Sequence, residues 1–183
     1  KRLPARLNQI IREAKGDYIA RMDADDLISP NRIQQQYDFL QANPNFDLVS
    51  TGLLSLKEDL TLVGYRGTKA NKEISILDAF LGTTGIIHAS VLVKKSWYVR
   101  NQYNENNRLA EDYELWQKAY LNDDLTVGFI DLPLYYYREE SSITLLKLLK
   151  AYNTQIDVIK TIPEEYLSVK EKKKLIKKFE VKK

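Results

Sequence analysis

Leu3, Leu7, Ile10, Ile11 and Ala14 recur at i, i+4, i+7, i+8 and i+11. That spacing lays one apolar stripe along a helix, and Gly16 stands where a left-handed C-terminal cap is wanted. Asp17 to Met22 is short, mostly apolar and bounded by that glycine and an acidic cluster, so it reads as a buried strand. Ser29-Pro30 supplies the start of a second helix, with Ile33, Tyr37 and Leu40 facing inward and an end near Asn43-Pro44. Asp47 to Leu56 and Thr61 to Tyr65 are strands joined by the polar turn Lys57-Glu58-Asp59. Asn71 is the expected cap of a helix running to about Phe80, which Gly82 to Gly85 breaks.

The remaining segments continue the alternation. Ile86 to Val93 is β-rich, Lys94 to Arg100 is a short helix and Ala110 to Leu121 a longer one. Thr126 to Ile130 and Tyr135 to Arg138 read as two separate extended pieces. From Ser142 the pattern is helical, with Ile143, Leu146, Leu149, Ile156 and Ile159 inward, a break at Pro163 and a last amphipathic helix from Ser168. The whole is an α/β pattern, with a helical extension over 146–183 appended to the body at 1–145. A chain that opens on a helix leaves its first strand without a preceding partner, so further sheet is expected from sequence upstream of Lys1.

Composition removes several chemistries. Zero Cys and one His, among 183 residues, exclude a disulfide scaffold, a thiolate metal site, a cysteine nucleophile and a multi-histidine centre. Any metal must then be a hard cation on oxygen ligands. Ser168 to Lys183 carries eight Lys and two Glu, so of the 28 basic and 25 acidic residues the first 167 hold 20 and 23. A mildly acidic body argues against nucleic acid as a partner and isolates the tail, where Val169, Ile176 and Phe179 share a side ringed by Lys. That tail suits contact with an anionic membrane or, equally, is a solvated terminal helix. With no apolar run long enough to span a bilayer and no signal-peptide core, the expected location is cytoplasmic, peripheral on the inner membrane face.

Candidate chemistry centres on Met22-Asp23-Ala24-Asp25-Asp26, three carboxylates at the carboxyl end of a predicted strand. Crowded carboxylates repel unless a cation offsets them, which points to Mg²⁺ or Mn²⁺; the alternative is a solvated acidic turn. Glu111-Asp112 opens a helix, where the dipole alone would favour acids. Asp112 shares a face with Leu115, Trp116 and Ala119 and is expected to point into the apolar side, while Glu111 turns toward Lys118. His88 is either a functional side chain or a satisfied core residue, and Arg138 either meets a phosphate or pairs with Glu139 and Glu140.

Taken in order, Pro4-Ala5-Arg6-Leu7-Asn8, Ile11 to Ala20, Met22 to Asp26, His88 to Ser96, Ala110 to Trp116, and Tyr137-Arg138 with Ser142 and Thr144 resemble glycosyltransferase family 2. The resemblance covers about residues 3 to 145. It implies a GT-A-like, Rossmann-like mixed sheet flanked by helices, incomplete at its N-terminal side, and an inverting transfer of a sugar from a nucleotide-diphosphate donor to an acceptor hydroxyl. In that family reading Asp25 holds Mn²⁺ or Mg²⁺ and Asp112 is the catalytic base. Asp23, Asp26, His88, Glu111 and Arg138 serve the nucleotide-sugar side. The implied donor is a UDP-sugar and the acceptor a saccharide or lipid-linked hydroxyl, as in surface polysaccharide or glycolipid synthesis. The absence of the Gln-x-x-Arg-Trp motif of processive relatives favours single-sugar addition. A missing part of the sheet would leave an apolar edge and favour homo-oligomers. Two other readings stay open on the residues: a haloacid-dehalogenase-like phosphatase with Asp23 as nucleophile, and a non-catalytic interaction or membrane-docking module.

Overall fold

A computed structural model describes residues 3–68, 73–106, 110–138, 149, 153 and 156–180. In chain order the elements are α1 (Leu3–Glu13), β1 (Tyr18–Ala20), β2 (Leu27–Ile28), α2 (Arg32–Ala42), β3 (Leu48–Leu56), β4 (Leu62–Arg66), α3 (Ile76–Leu81), a 3-10 turn (His88–Ser90), β5 (Leu92–Lys94), α4 (Lys95–Arg100), α5 (Glu111–Leu121), β6 (Val127–Arg138) and α6 (Val169–Glu180). The chain forms two compact units. One comprises Lys1–Glu73 and Gly85–Glu140, the other Ile74–Thr84 and Ser141–Lys183.

The first unit is built on a mixed six-stranded sheet in the order β1-β5-β3-β6-β2, with β4 also paired to β3. β3 is central because its residues are almost continuously buried, the pattern of a strand covered on both faces. One edge of β3 pairs antiparallel with β5 at Leu48 and Val49 and with β4 from Leu53 to Leu56. The other edge runs parallel to β6 along its whole length. β6 is therefore one strand where two were expected. The register slips between Thr51 and Leu53, opposite Ile130, Pro133 and Tyr135, so the break reads in sequence as a gap but is a bulge around a proline that cannot donate to the ladder. Among the described residues β1 lies at the sheet edge, paired to β5 alone, and is half-exposed rather than the buried strand its composition suggests.

The largest core cluster joins Ile11, Leu48, Val91, Val93, Trp97 and Trp116 with Tyr98, Tyr103, Leu115 and Ala119. Two helices bury only part of their expected apolar faces. α1 turns Pro4, Asn8 and Ile11 inward and leaves Leu3 and Ile10 exposed, because Asn8 brackets Tyr103: its Nδ2 donates to the Tyr103 carbonyl at 2.9 Å and its Oδ1 accepts from the Tyr103 N–H at 3.0 Å. α2 buries Arg32, Gln36 and Leu40 while Ile33 and Tyr37 stay 43% and 41% exposed. Gln36 Nε2 donates to the carbonyls of Val49 and Ser90, and Arg32 donates to those of Arg21 and Val91. The strand ends therefore recruit polar donors, and a helix of the right period is turned by hydrogen bonding rather than by apolarity.

In the second unit α3 starts at a capping box between Ser75 and Asp78 and stops at Gly82, whose φ of 65° supplies the left-handed cap. The expected cap Asn71 lies outside the described residues, as do Ile143 and Leu146. Residues 156–161 are helical, and Ile159, Ile162, Phe80 and Leu167 form a core against which Leu77, Leu175 and Ile176 pack. α6 begins at its own box, Ser168 donating from N and Oγ to Glu171 Oε2 at 3.0 and 2.5 Å. No helix among the described residues is long and apolar enough to cross a membrane.

Candidate active site

The acidic turn follows β1 and its three carboxylates have three different surroundings. Asp26 is 3% exposed and fully engaged: Tyr135 donates its hydroxyl to Oδ2 at 2.6 Å and the Arg138 backbone N–H donates to Oδ1 at 2.8 Å. Asp23 takes a two-pronged bond from Arg21, at 2.9 and 3.2 Å, while its own N–H donates to the Tyr135 hydroxyl at 3.1 Å. Asp25 is exposed, and its carboxylate has no partner among the described residues. Its backbone carbonyl is held by Arg138 Nε. The turn is thus fixed by β6, which pins Asp26 inside and presents Asp25 outward.

Arg32 lies beneath the turn. Its guanidinium sits 5.2 Å from the Tyr135 ring centroid and bonds Gln36 Oε1 at 2.9 Å. Burial lowers it from 12.5 to about 10, which leaves it charged at neutral pH. Burial, followed by the bond to Asp26, raises Tyr135, so its proton stays on and the hydroxyl remains a donor to that carboxylate.

The second cluster lies on the 3-10 turn after Ile87 and at the start of α5. A buried polar knot fixes the turn: Ser50 Oγ meets Ser90 Oγ at 3.1 Å, the Thr51 N–H donates to Ser90 Oγ and the Ile87 N–H donates to Ser50 Oγ. This places His88 with Nε2 at 2.7 Å from the Tyr103 hydroxyl and Nδ1 at 3.8 Å from Asp112 Oδ2. Burial, with the nearby Arg21 charge adding to it, lowers His88 to about 3. The imidazole is neutral at working pH, so its approach to Asp112 is not an ion pair.

Asp112 departs from its expected place. Its side chain is 43% exposed, because in the first turn of α5 a side chain tilts toward the helix start and past the apolar stripe below it. Glu111 does not turn away either: ligand atoms of His88, Glu111 and Asp112 all lie within 4.8 Å of one another, a spacing that a hard cation could bridge. Asp112 Oδ1 also accepts from the Tyr113 N–H at 2.8 Å. Arg21 relates the two clusters, since it pairs with Asp23 and its charge also acts on His88, Tyr98 and Tyr103. The structure thereby gathers Asp23, Asp25, Asp26 and Arg138 at one turn, and His88, Glu111 and Asp112 at the other. Sequence reasoning overlooked Arg21, Tyr103 and Tyr135, whose aromatic or basic character is indistinguishable from surface or core until the register of β6 and the position of Asn8 are known.

The residues fit a hard divalent cation at Asp25: one open carboxylate stands beside one paired with Arg21 and one hydrogen-bonded to Tyr135 and the Arg138 backbone, which matches the one or two protein ligands Mg²⁺ or Mn²⁺ usually takes.

Comparison with known proteins agrees with this architecture. The family described as glycosyl transferase family 2 matches residues 1–98. EpsE of Bacillus subtilis (strain 168), named as a glycosyltransferase, is 31% identical over 144 residues, covering 77% of this chain and 50% of EpsE. The O-antigen biosynthesis glycosyltransferase WbnJ of Escherichia coli is 29% identical over 114 residues, 60% of this chain and 42% of its own length. Among solved structures, S. aureus TarS 1-349 in complex with UDP-GlcNAc shares the fold with a TM-score of 0.56 at 14% identity, covering 94% of this chain and 50% of that one. The chain spans half or less of the length of these curated relatives. The match removes the phosphatase alternative, and the mixed sheet with its flanking helices is of the GT-A-like kind. The chain belongs to glycosyltransferase family 2.

Proposed function

We propose that this chain carries the catalytic chemistry of an inverting glycosyltransferase, which moves a sugar from a nucleoside-diphosphate donor to an acceptor hydroxyl. The observation that carries the reading is the division of the acidic turn in a chain of this family: Asp26 is built into the fold, Asp23 is held by Arg21 and Asp25 is left open. Asp25 would hold the cation, and Asp23, Glu111 and Arg138 would face the donor. When bound, Mn²⁺ or Mg²⁺ supplies positive charge against the departing diphosphate.

Asp112 removes the proton from the acceptor hydroxyl as that oxygen bonds to the anomeric carbon. The bond to the diphosphate breaks on the opposite face with its electron pair leaving on the diphosphate, so the configuration inverts. A half-exposed carboxylate suits this task, since it can reach an incoming hydroxyl without first being uncovered. UDP-sugars are the donor class favoured by the likeness to a UDP-GlcNAc complex, and polysaccharide or glycolipid acceptors by the name of WbnJ. The lysine-rich α6 suits peripheral contact with an anionic, cytoplasmic membrane face, where a lipid-linked acceptor would be met.

In the intact protein, Asp112→Asn is expected to lower kcat by on the order of 10² to 10⁴ while donor affinity, measured by calorimetry, is kept. Asp25→Asn should remove the dependence of donor binding on Mn²⁺ or Mg²⁺. Parallel loss of donor binding and turnover in Asp112→Asn would sink the base assignment, and metal-independent donor binding by the unaltered protein would sink the cation site.

A further inference from the structure

His88 is buried, lies against Asp112, and its protonation pattern is dictated from behind. Its Nε2 is 2.7 Å from the Tyr103 hydroxyl, which is 3.2 Å from the Tyr98 hydroxyl. Both tyrosines are buried, and Tyr98 Oη has no other partner among the described residues. Two directions of donation are conceivable along this row. If Nε2 carried the proton, Tyr103 would donate to Tyr98, the Tyr98 O–H would have nothing to donate to, and the bare Nδ1 lone pair would face the Asp112 carboxylate at 3.8 Å. Run the other way, Tyr98 donates to Tyr103, Tyr103 donates to Nε2, and the Nδ1–H points at Asp112. Only the second arrangement satisfies every buried hydroxyl and sets a donor, not a lone pair, against the carboxylate.

We propose that His88 is a positioning residue for Asp112, locked by the Tyr98–Tyr103 hydroxyl row in its Nδ1–H tautomer so that this N–H steadies and orients the carboxylate. The inference rests on the reading of Asp112 as the base. The imidazole plane is fixed for the purpose, with the Tyr103 ring 5.6 Å away and the Trp116 ring edge-on at 6.0 Å. Asn8 in turn ties the backbone of Tyr103 to α1, so the row is anchored at its middle member. Burial pushes Tyr98 up to about 12 and, with the neighbouring Tyr98 hydroxyl, raises Tyr103 well above its ordinary value, which keeps both protons in place. At 3.8 Å the Nδ1–H is aimed but not closed, and it would close as an acceptor sugar draws the carboxylate in.

Because His88 is the single histidine of the 183 residues, ring-¹⁵N-histidine labelling gives one spin system. The expected spectrum has a protonated, pyrrole-type nitrogen at Nδ1 and a bare, pyridine-type nitrogen at Nε2, and Tyr103→Phe should release the ring to the opposite tautomer. A pyridine-type Nδ1 in the unaltered chain overturns the proposal. In kinetics of the intact protein, His88→Ala should lower kcat roughly ten- to hundredfold with donor KM unchanged. His88→Asn, whose amide can replace the Nδ1–H, should recover part of that loss. Equal activity of the Ala and Asn variants, or a fall confined to KM, counts against it. Should His88→Ala fail to fold, Tyr103→Phe carries the same kinetic test. If Asp112→Asn retains transfer, the base reading fails and takes the catalytic meaning of the tautomer with it. If Asp112→Asn is inactive while the tautomer is reversed, the positioning role alone fails.

Discussion

A neutral imidazole enclosed by tyrosines ties stability to acidity. His88 titrates at about 3 in the folded chain, against 6.5 for an unperturbed side chain. Between those values only the unfolded chain takes up the proton, so the stability that His88 contributes is complete above about 6.5 and drains away as pH falls toward 3. The limiting slope is about 1.4 kcal/mol per pH unit. Denaturant melts of the unaltered chain and of His88→Asn should therefore converge as the solution is acidified through this window, and a gap that stays constant would show that the ring is already charged in the fold. From sequence this residue could be singled out only as one histidine with two readings. What decides between them is its pairing with Tyr103, fifteen residues away and held by Asn8, and neither spacing nor composition encodes that contact.

Helices and strands follow their periodicities more faithfully than their faces follow hydrophobicity. The hairpin of β3 and β4, the glycine break after α3, and the extents of α4 and α5 were legible because turns, caps and periods are local properties. The inward face of α2 was not: Ile33 and Tyr37 have the right spacing, yet the strand carbonyls beneath needed the donors that only Arg32 and Gln36 carry. Polar residues at i and i+4 on a helix over a sheet end, followed by an apolar one at i+8, are thus a sign of a buried hydrogen-bonded face. The packing of α2 on β6 is equally tight at Gly128. A Cβ there would stand 2.2 Å from Phe39 Cε1, whose ring stacks on Phe46 at 5.9 Å. Gly128→Ala should cost about 1 to 3 kcal/mol of stability by overpacking. Shortening the obstacle with Phe39→Leu should restore part of it in the double variant, as thermal melts would reveal. Simple additivity of the two losses would contradict the contact.

Across the molecule, charge is as unevenly spread as the sequence shows. α6 carries six lysines, and its Glu171 is committed to capping by Ser168. Lys174, Lys177 and Lys178 rim a groove of about 660 Å³ floored by Leu77, Leu167 and Leu175 within the second unit. The intact protein is expected to sediment with vesicles containing anionic phospholipid and not with zwitterionic ones. Replacing these three lysines by Gln should weaken that association on the order of a hundredfold, and added salt should mimic the substitution. Unchanged binding by the triple variant would place the contact elsewhere. The acidic turn, by contrast, owes its form to distant partners: Asp26 is held by Tyr135 and by the Arg138 backbone, 109 and 112 residues further along. A ribosome-bound chain that has emerged only as far as α2 has every aspartate of the motif but nothing to turn Asp26 inward or Asp25 outward. The cation site proposed at Asp25 is therefore expected only in a chain whose β6 lies beside β3, and a translation product ending before Arg138 is expected to show no metal-dependent donor binding however well its helices had formed.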